Sequence, residues 1–472
     1  MSKKIVTRFA PSPTGFLHVG SLRTAMYNFL FAKANKGDFL LRIEDTDQTR
    51  KVKGAQESLL KSLEQFNLDW DNKKIMVQSE RLKDYQAAAE KLVKEKKAYN
   101  CFCSKERLDN LRKVRQQKGL PPMYDGHCTN LPDKEIDLTK DHVIRFKMPN
   151  SGQTKFNDLI RNKVIFDNKL LDDPVILKSD GFPTYHLASV VDDHEMKVSH
   201  VIRGEEWLPS TPKHILLHEA LDFKAPEFAH LPLLLNADRS KLSKRQGDVA
   251  VEDFLKQGYL EEALLNFVLL LGWNPGTDQE IFSLEEMIKS FDLKKVHKGG
   301  ALFNTQKLDW LNGEYIKQKS LPELTKLCQP FFAAAGIKTD LKQLEKVVAT
   351  EQQRIKKLSD IVEGSEFFFK MPSYDSKLLI WKKGTVKDAT ENLKVLLEFL
   401  DNLPENQWNQ QDLETAIKKL IEEKKIGVGD MLWPMRVALT GRKNSPGPFE
   451  VAEALGKEES LARIKKAIDL LS

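Results

Sequence analysis

Apolar and polar positions change period twice near the start of the chain. Ile5 to Ala10 is a short, mostly apolar run that predicts a strand. Pro11-Ser12-Pro13-Thr14-Gly15 predicts a turn, because two prolines fix φ and the glycine accepts positive φ. From about His18 to Lys36 the period becomes helical: Leu22, Ala25, Met26, Phe29, Leu30 and Lys33 share one face, all but the last apolar. Gly37 is expected to cap that helix. Phe39 to Ile43 predicts the next strand, and Glu44-Asp45-Thr46-Asp47 leaves its C-terminal end. A strand–helix–strand of this length implies a parallel pair with a right-handed crossover.

The pattern returns later. Val175 to Ser179 is strand-like, Tyr185 to Met196 helix-like, Val198 to Ile202 a strand, Thr211 to Leu221 a helix, and His230 to Leu235 a strand. Two α/β stretches thus flank a segment of different character, roughly 85–186, read as an insertion. Beyond about residue 246 strand signals thin out. Helical stripes dominate, as in Leu413, Ala416, Ile417, Leu420 and Ile421.

The chain has 472 residues, too many for one core and suited to two to four domains. Hydrophobic residues at 41% and charged residues at 30% are ordinary for a globular protein. The longest strongly apolar run, Ala263 to Trp273, is broken by Asn266 and is too short to span a bilayer. The first residues are basic but lack an apolar core, so no signal peptide and a cytoplasmic location are expected. The net charge of +6 suits a polyanionic partner without requiring one.

Two short motifs carry chemistry. Pro11 to Gly20 joins the first strand to the first helix, where an open parallel sheet binds ligands and helix N-terminal amides favour anions. His18 can donate to a phosphate oxygen as charge develops there, and Gly20 allows close approach of a nucleotide. Lys241-Leu242-Ser243-Lys244-Arg245 sets three cations and a hydroxyl in a loop after a strand, a clamp suited to a triphosphate. Alone, the first is also what a tight turn presents and the second what a solvated basic surface presents. There is no G-x-x-x-x-G-K-[ST] loop and no G-x-G-x-x-G.

Together the two motifs resemble those of class I aminoacyl-tRNA synthetases: His18-Val19-Gly20-Ser21 is similar to HIGH, with Ser21 at the last position, and Lys241 to Arg245 is similar to KMSKS. Val6 to Gly15, Leu41 to Asp47, Gly181 to Ala188, Val201 to Trp207, and Ala438 to Val451 narrow the resemblance to the bacterial glutamyl-tRNA synthetases, over essentially the whole chain. That implies a Rossmann-like α/β catalytic domain (1–84 and 187–246), an inserted α/β acceptor-binding domain (85–186), a stem-contact domain (247–320) and an all-α anticodon-binding region (321–472).

The resemblance also implies a chemistry: ATP-dependent attachment of L-glutamate to the 3′ end of tRNA(Glu), through a glutamyl adenylate, with Mg2+ accompanying ATP. His18, Lys241 and Lys244 would be catalytic. His18, Gly20, Glu206 and Lys244 would hold ATP. Arg8, Ser12, Glu44, Tyr185 and Arg203 would hold glutamate, Glu44 taking the ammonium; Ser189 stands where the family often has asparagine. An arginine can grip a carboxylate bidentately, so an arginine on the side-chain carboxylate would also reject glutamine. A monomer is expected. The alternative within the family is an enzyme that also charges tRNA(Gln); outside it, a small-molecule adenylyltransferase would share the motifs without needing the helical half.

Cys101, Cys103 and Cys128 fall within one stretch, and a C-x-C pair with a distant third thiolate suits tetrahedral zinc. By resemblance, Tyr124, four residues before the last cysteine, is a candidate fourth ligand. His127 is another, and Asn130 occupies a position where some relatives have histidine. Cys328 is expected in the core.

Overall fold

The computed structural model describes residues 4–132, 135–242 and 250–472. The chain forms two compact units, Met1–Leu255 with Leu264–Thr305, and Lys256–Ala263 with Gln306–Ser472.

In the first unit, β1 (Val6–Phe9), α1 (Val19–Ala34) and β2 (Asp38–Ile43) build the expected crossover. β1 and β2 run parallel with Val6 opposite Asp38 and Phe9 opposite Leu41. β3 (Met76–Val77) extends this sheet parallel to β2. The apolar stripe of α1 is buried, but so are Arg23, Tyr27 and Asn28 on its other faces. Tyr27 donates to the carbonyl oxygens of Leu269 and Leu271, so the segment after residue 264 covers the side of α1 away from the sheet. Gly37 does not take the left-handed position that ends α1. Lys36 does (φ 54°), and Gly37 donates to the Ala32 carbonyl two residues past the cap, a Schellman arrangement. Glycine is needed there for space, since a Cβ would collide with the Ile5 carbonyl oxygen.

After α2 (Ala55–Gln65) and α3 (Leu82–Lys94), β4 (Ala98–Cys101), β5 (Val143–Phe146) and β8 (Val175–Leu177) form an antiparallel sheet, with α4 (Lys105–Gln117) between β4 and β5 along the chain. Between β5 and β8 lies the hairpin of β6 (Gln153–Asp158) and β7 (Asn162–Asp167). Although the hairpin falls within 85–186, β6 pairs with β10 (Glu227–Leu231), which pairs with β9 (His200–Gly204), all parallel. α5 (Tyr185–Glu195) and α6 (Thr211–Ala220) agree with the helical spacing. The single strand expected from His230 to Leu235 is two: β10 ends at Leu231, and β11 (Leu234–Leu235) pairs instead with β12 (Ala301–Leu302). Pro232 stands between them and has no N–H for a ladder.

The two parallel sheets adjoin where Ser199 N–H donates to the Val6 carbonyl and Val6 N–H donates to the Ser199 hydroxyl. From β1 the chain winds to β2 on one side, and from β9 to β10 on the other. Strand order therefore reverses between β1 and β9. The crevice outside their carboxyl ends is the position where open α/β sheets take ligands.

The second unit is helical. Leu413, Ile417, Leu420 and Ile421 are buried along Gln410–Lys424, as the stripe predicts. Arg463 is buried too, donating to the carbonyls of Phe367 and Leu439, a role no periodicity signals. Among the described residues no helix is long and apolar enough to cross a membrane.

Candidate active site

A cavity of about 380 Å³ opens at the β1/β9 crevice, and Arg8, Ser12, His18, Glu44, Tyr185, Arg203 and Glu206 all line it. Arg8 comes from β1, Glu44 follows β2, Tyr185 opens α5 and Arg203 lies on β9. His18 is the N-cap of α1, its Nδ1 accepting the Gly20 N–H at 2.9 Å. That acceptance leaves the neutral ring hydrogen on Nε2. Gly20 itself does not line the cavity; it lies behind His18, where a Cβ would stand 3.2 Å from Nδ1. Lys241 is exposed, forms a bridge with Leu235, and does not line the cavity either. Ser243, Lys244 and Arg245 lie outside the described residues.

Behind the cavity is a charge cluster that the sequence reading missed. Arg42, on β2, has no exposed surface. Its guanidinium lies 2.8 Å from Glu44, 2.7 Å from Asp193 and 3.7 Å from Asp192. The Asp193 oxygen that meets Arg42 also accepts from Arg8 Nε at 3.2 Å. Asp192 is further held by Gln78, Tyr85 and Arg81. Burial works to raise the Asp193 carboxyl, but Arg8 and Arg42 outweigh it and keep it below the usual range. At Glu44 burial wins over Arg42 and Arg8, and the carboxyl is pushed up. The signal available in the sequence was an arginine in the middle of an apolar strand, and an Asp-Asp pair directly after the apolar run Leu187 to Val191.

The two arginines expected to hold carboxylates are held differently. Arg8 uses only Nε internally, and among the described residues its two Nη groups meet no acceptor. Arg203 has acceptors at every nitrogen. Nε donates to His230, Nη1 to the Tyr185 hydroxyl and to His214 (both 3.1 Å), and Nη2 to Thr211 at 2.9 Å with the Trp207 carbonyl at 3.5 Å. Tyr185 also packs against Trp207, with ring centroids 4.1 Å apart and planes tilted by 38°.

A second group of side chains lies in the β4–β5–β8 region. The sulfurs of Cys101, Cys103 and Cys128 lie within 4.8 Å of one another, and those of Cys103 and Cys128 are 3.5 Å apart. The Tyr124 hydroxyl is 3.4 Å from both Cys101 and Cys103. A tetrahedral ion with Zn–S arms of about 2.3 Å has edges of about 3.8 Å, so this donor set fits zinc. His127 and Asn130 are exposed, and Cys328 is buried in the second unit.

Residues 4–310 match the family described as class I tRNA synthetases (E and Q), catalytic domain, and residues 323–468 match an anticodon binding domain. The glutamate–tRNA ligase of Clostridium tetani (strain Massachusetts / E88) is 45% identical over 99% of this chain and 98% of its own length. That of Dehalococcoides mccartyi (strain CBDB1) is 46% identical over 100% and 99%. A glutamate tRNA ligase from Elizabethkingia meningosepticum, solved in complex with its amino acid, matches 100% of both chains at 37% identity with a TM-score of 0.91.

Two outcomes follow from the charge cluster. Arg42→Met leaves buried carboxylates short of their cation and lowers stability by roughly 3–5 kcal/mol, read by urea unfolding. Because the Glu44 carboxyl is raised, its charge is lost on acidification earlier than that of an ordinary carboxylate. Binding of any ligand ammonium that Glu44 holds therefore weakens on acidification at a higher pH than an ordinary carboxylate would impose, and Glu44→Gln flattens that part of the profile.

Proposed function

The chain belongs to the class I tRNA synthetases of the E and Q type, and on that footing we propose that it acts as a glutamate–tRNA ligase specific for tRNA(Glu). The observation that carries the reading is the charge arrangement of the cavity. Two cations, Arg8 and Arg203, and one anion, Glu44, line it beside the His18 N-cap. L-glutamate has two carboxylates and one ammonium. In this reading the Nη pair of Arg8 takes the side-chain carboxylate bidentately, Glu44 takes the ammonium, and Ser12 and Tyr185 complete the grip. The α-carboxylate is left facing the His18 end, where ATP would lie.

An α-carboxylate oxygen attacks the α-phosphorus of ATP, and the bond to pyrophosphate breaks. The terminal ribose hydroxyl of tRNA then attacks the acyl carbon of the adenylate, and AMP leaves. No protein nucleophile is needed; the chain contributes position and charge. His18 Nε2–H donates to a phosphate oxygen as charge develops, Glu206 helps seat ATP with Gly20 behind His18, and Lys241 and Lys244 stabilise the leaving pyrophosphate. Mg2+ bound with ATP offsets phosphate charge. The region 85–186 would hold the acceptor end, 247–320 the stem and 321–472 the anticodon. We read the protein as a cytoplasmic monomer. Nothing in this chain favours the broader enzyme that also charges tRNA(Gln).

Cys101, Cys103 and Cys128 would hold a structural zinc, with Tyr124 as the fourth ligand. Tyr124 is favoured over His127 because its hydroxyl faces two of the thiols.

Labelled glutamate, supplied with ATP and magnesium, is expected to appear on purified tRNA(Glu) and not on tRNA(Gln). His18→Ala lowers adenylate formation roughly 10²–10³-fold, the usual cost of one oxyanion-stabilising donor. No charging of either tRNA by folded protein rejects the reading. The purified protein is expected to carry stoichiometric zinc by atomic emission. Tyr124→Phe should lose it to a chelator faster than the native chain, and His127→Ala should not.

A further inference from the structure

We infer that His214 and His230 are positioning residues that fix the donor polarity of the cavity, and so its choice of a carboxylate over an amide. The inference rests on the glutamate reading of the site above.

Asp158 sets the tautomer of His230. His230 Nδ1 lies 2.6 Å from its Oδ2, so Nδ1 carries the hydrogen and donates. Asp158 is fixed in turn by the N–H groups of Ile160 and Arg161. The Nε2 of His230 is therefore a lone pair, and it accepts the Nε–H of Arg203 at 3.2 Å. His214 does the same from α6. Its Nδ1 accepts from Arg203 Nη1 at 3.1 Å, and its Nε2 faces His186 Nδ1 at 3.0 Å and donates to it. Burial, with the neighbouring cations, holds all three imidazoles low, His186 at about 4. Both rings thus stay neutral and keep their lone pairs on the guanidinium.

Among the described residues no carboxylate touches Arg203. Its hydrogens go to neutral acceptors, and its charge is left for a ligand to answer. One of those acceptors is the Tyr185 hydroxyl. A hydroxyl that accepts from Arg203 must send its own hydrogen elsewhere, and Tyr185 lines the cavity. The side-chain end of the ligand is then offered the Nη hydrogens of Arg8 and the hydroxyl hydrogen of Tyr185. A carboxylate satisfies them. An amide NH2 would face N–H and O–H groups and leave buried hydrogen bonds unmade. If either imidazole lost its lone pair at the required position, Arg203 would turn and Tyr185 would be free to accept, which an amide tolerates.

The test uses amide side chains that differ only in where the acceptor falls. At position 214 asparagine keeps an oxygen where Nδ1 stands, whereas glutamine carries its amide to the Nε2 place. At position 230 the required acceptor is Nε2, so glutamine keeps it and asparagine does not. In ATP–pyrophosphate exchange with the full chain and tRNA present, His214→Asn and His230→Gln should keep KM for glutamate within about 3-fold of native. His214→Gln and His230→Asn should raise it about 10-fold or more, with kcat and KM for ATP changed less than about 3-fold, and should weaken selection against glutamine to a similar degree. The opposite order at the two positions is the signature. The same order at both, equal KM values within each pair, or losses shared by kcat and KM for ATP would overturn the inference. If one pair does not fold, the other decides by the same criterion. A native chain that activates no glutamate would instead overturn the glutamate reading itself.

Discussion

A guanidinium with no exposed surface needs carboxylates around it, and in this protein that need organises the catalytic unit. Arg42 cannot reach water, so its charge is met by Glu44, two residues on, and by Asp192 and Asp193 from α5. Breaking such a set by removing one member is far more costly than its net contribution to stability, because the remaining charges stay buried and unpaired. The cluster therefore constrains geometry more than it adds free energy. It ties β2 to α5 and, through the shared Asp193 oxygen, to Arg8 on β1.

Everything facing the cavity inherits that constraint. Glu44 is oriented by its bond to Arg42, and Arg8 is anchored at Nε, its two Nη groups meeting no acceptor among the described residues. Across the crevice Arg203 is fixed by a different device, a ring of neutral acceptors. One cation is steadied by charge and the other by lone pairs, and an anion faces the space they line. On the far side the α1 N-terminus is capped by the same His18 that lines the cavity, so the capping bond also sets which ring nitrogen carries the hydrogen.

Much of this was legible in order along the chain. The turn at Pro11 to Gly15, the helical stripe from Leu22 to Leu30 and the strand before Glu44 obey periods that local sterics and burial impose, and the structure has them. Three cysteines in one stretch can be grouped by their spacing alone. What escaped reading was non-local. The splitting of the strand at Pro232 depends on β12, which approaches β11 from beyond residue 300. The hairpin β6–β7 joins β10 through one register pair, Phe228 with Asp158. Arg42 and the histidines around Arg203 look like surface polar residues in a one-dimensional pattern, because their partners come from elements far away in sequence. The left-handed Lys36 is hidden for a simpler reason: the glycine beside it is the residue type that ordinarily takes that conformation.

In the proposed reading a charge-fixed Glu44 and Arg8, facing an Arg203 saturated by neutral acceptors, receive glutamate. The most direct measurement is a crystal structure of the full chain with L-glutamate bound. The ligand ammonium is expected within hydrogen-bond distance of Glu44, the side-chain carboxylate on the Nη groups of Arg8 and the Tyr185 hydroxyl, and Arg203 still bonded to His214 and His230. A carboxylate gripped by an Arg203 that has left its histidines, or an ammonium placed away from Glu44, would contradict that reading.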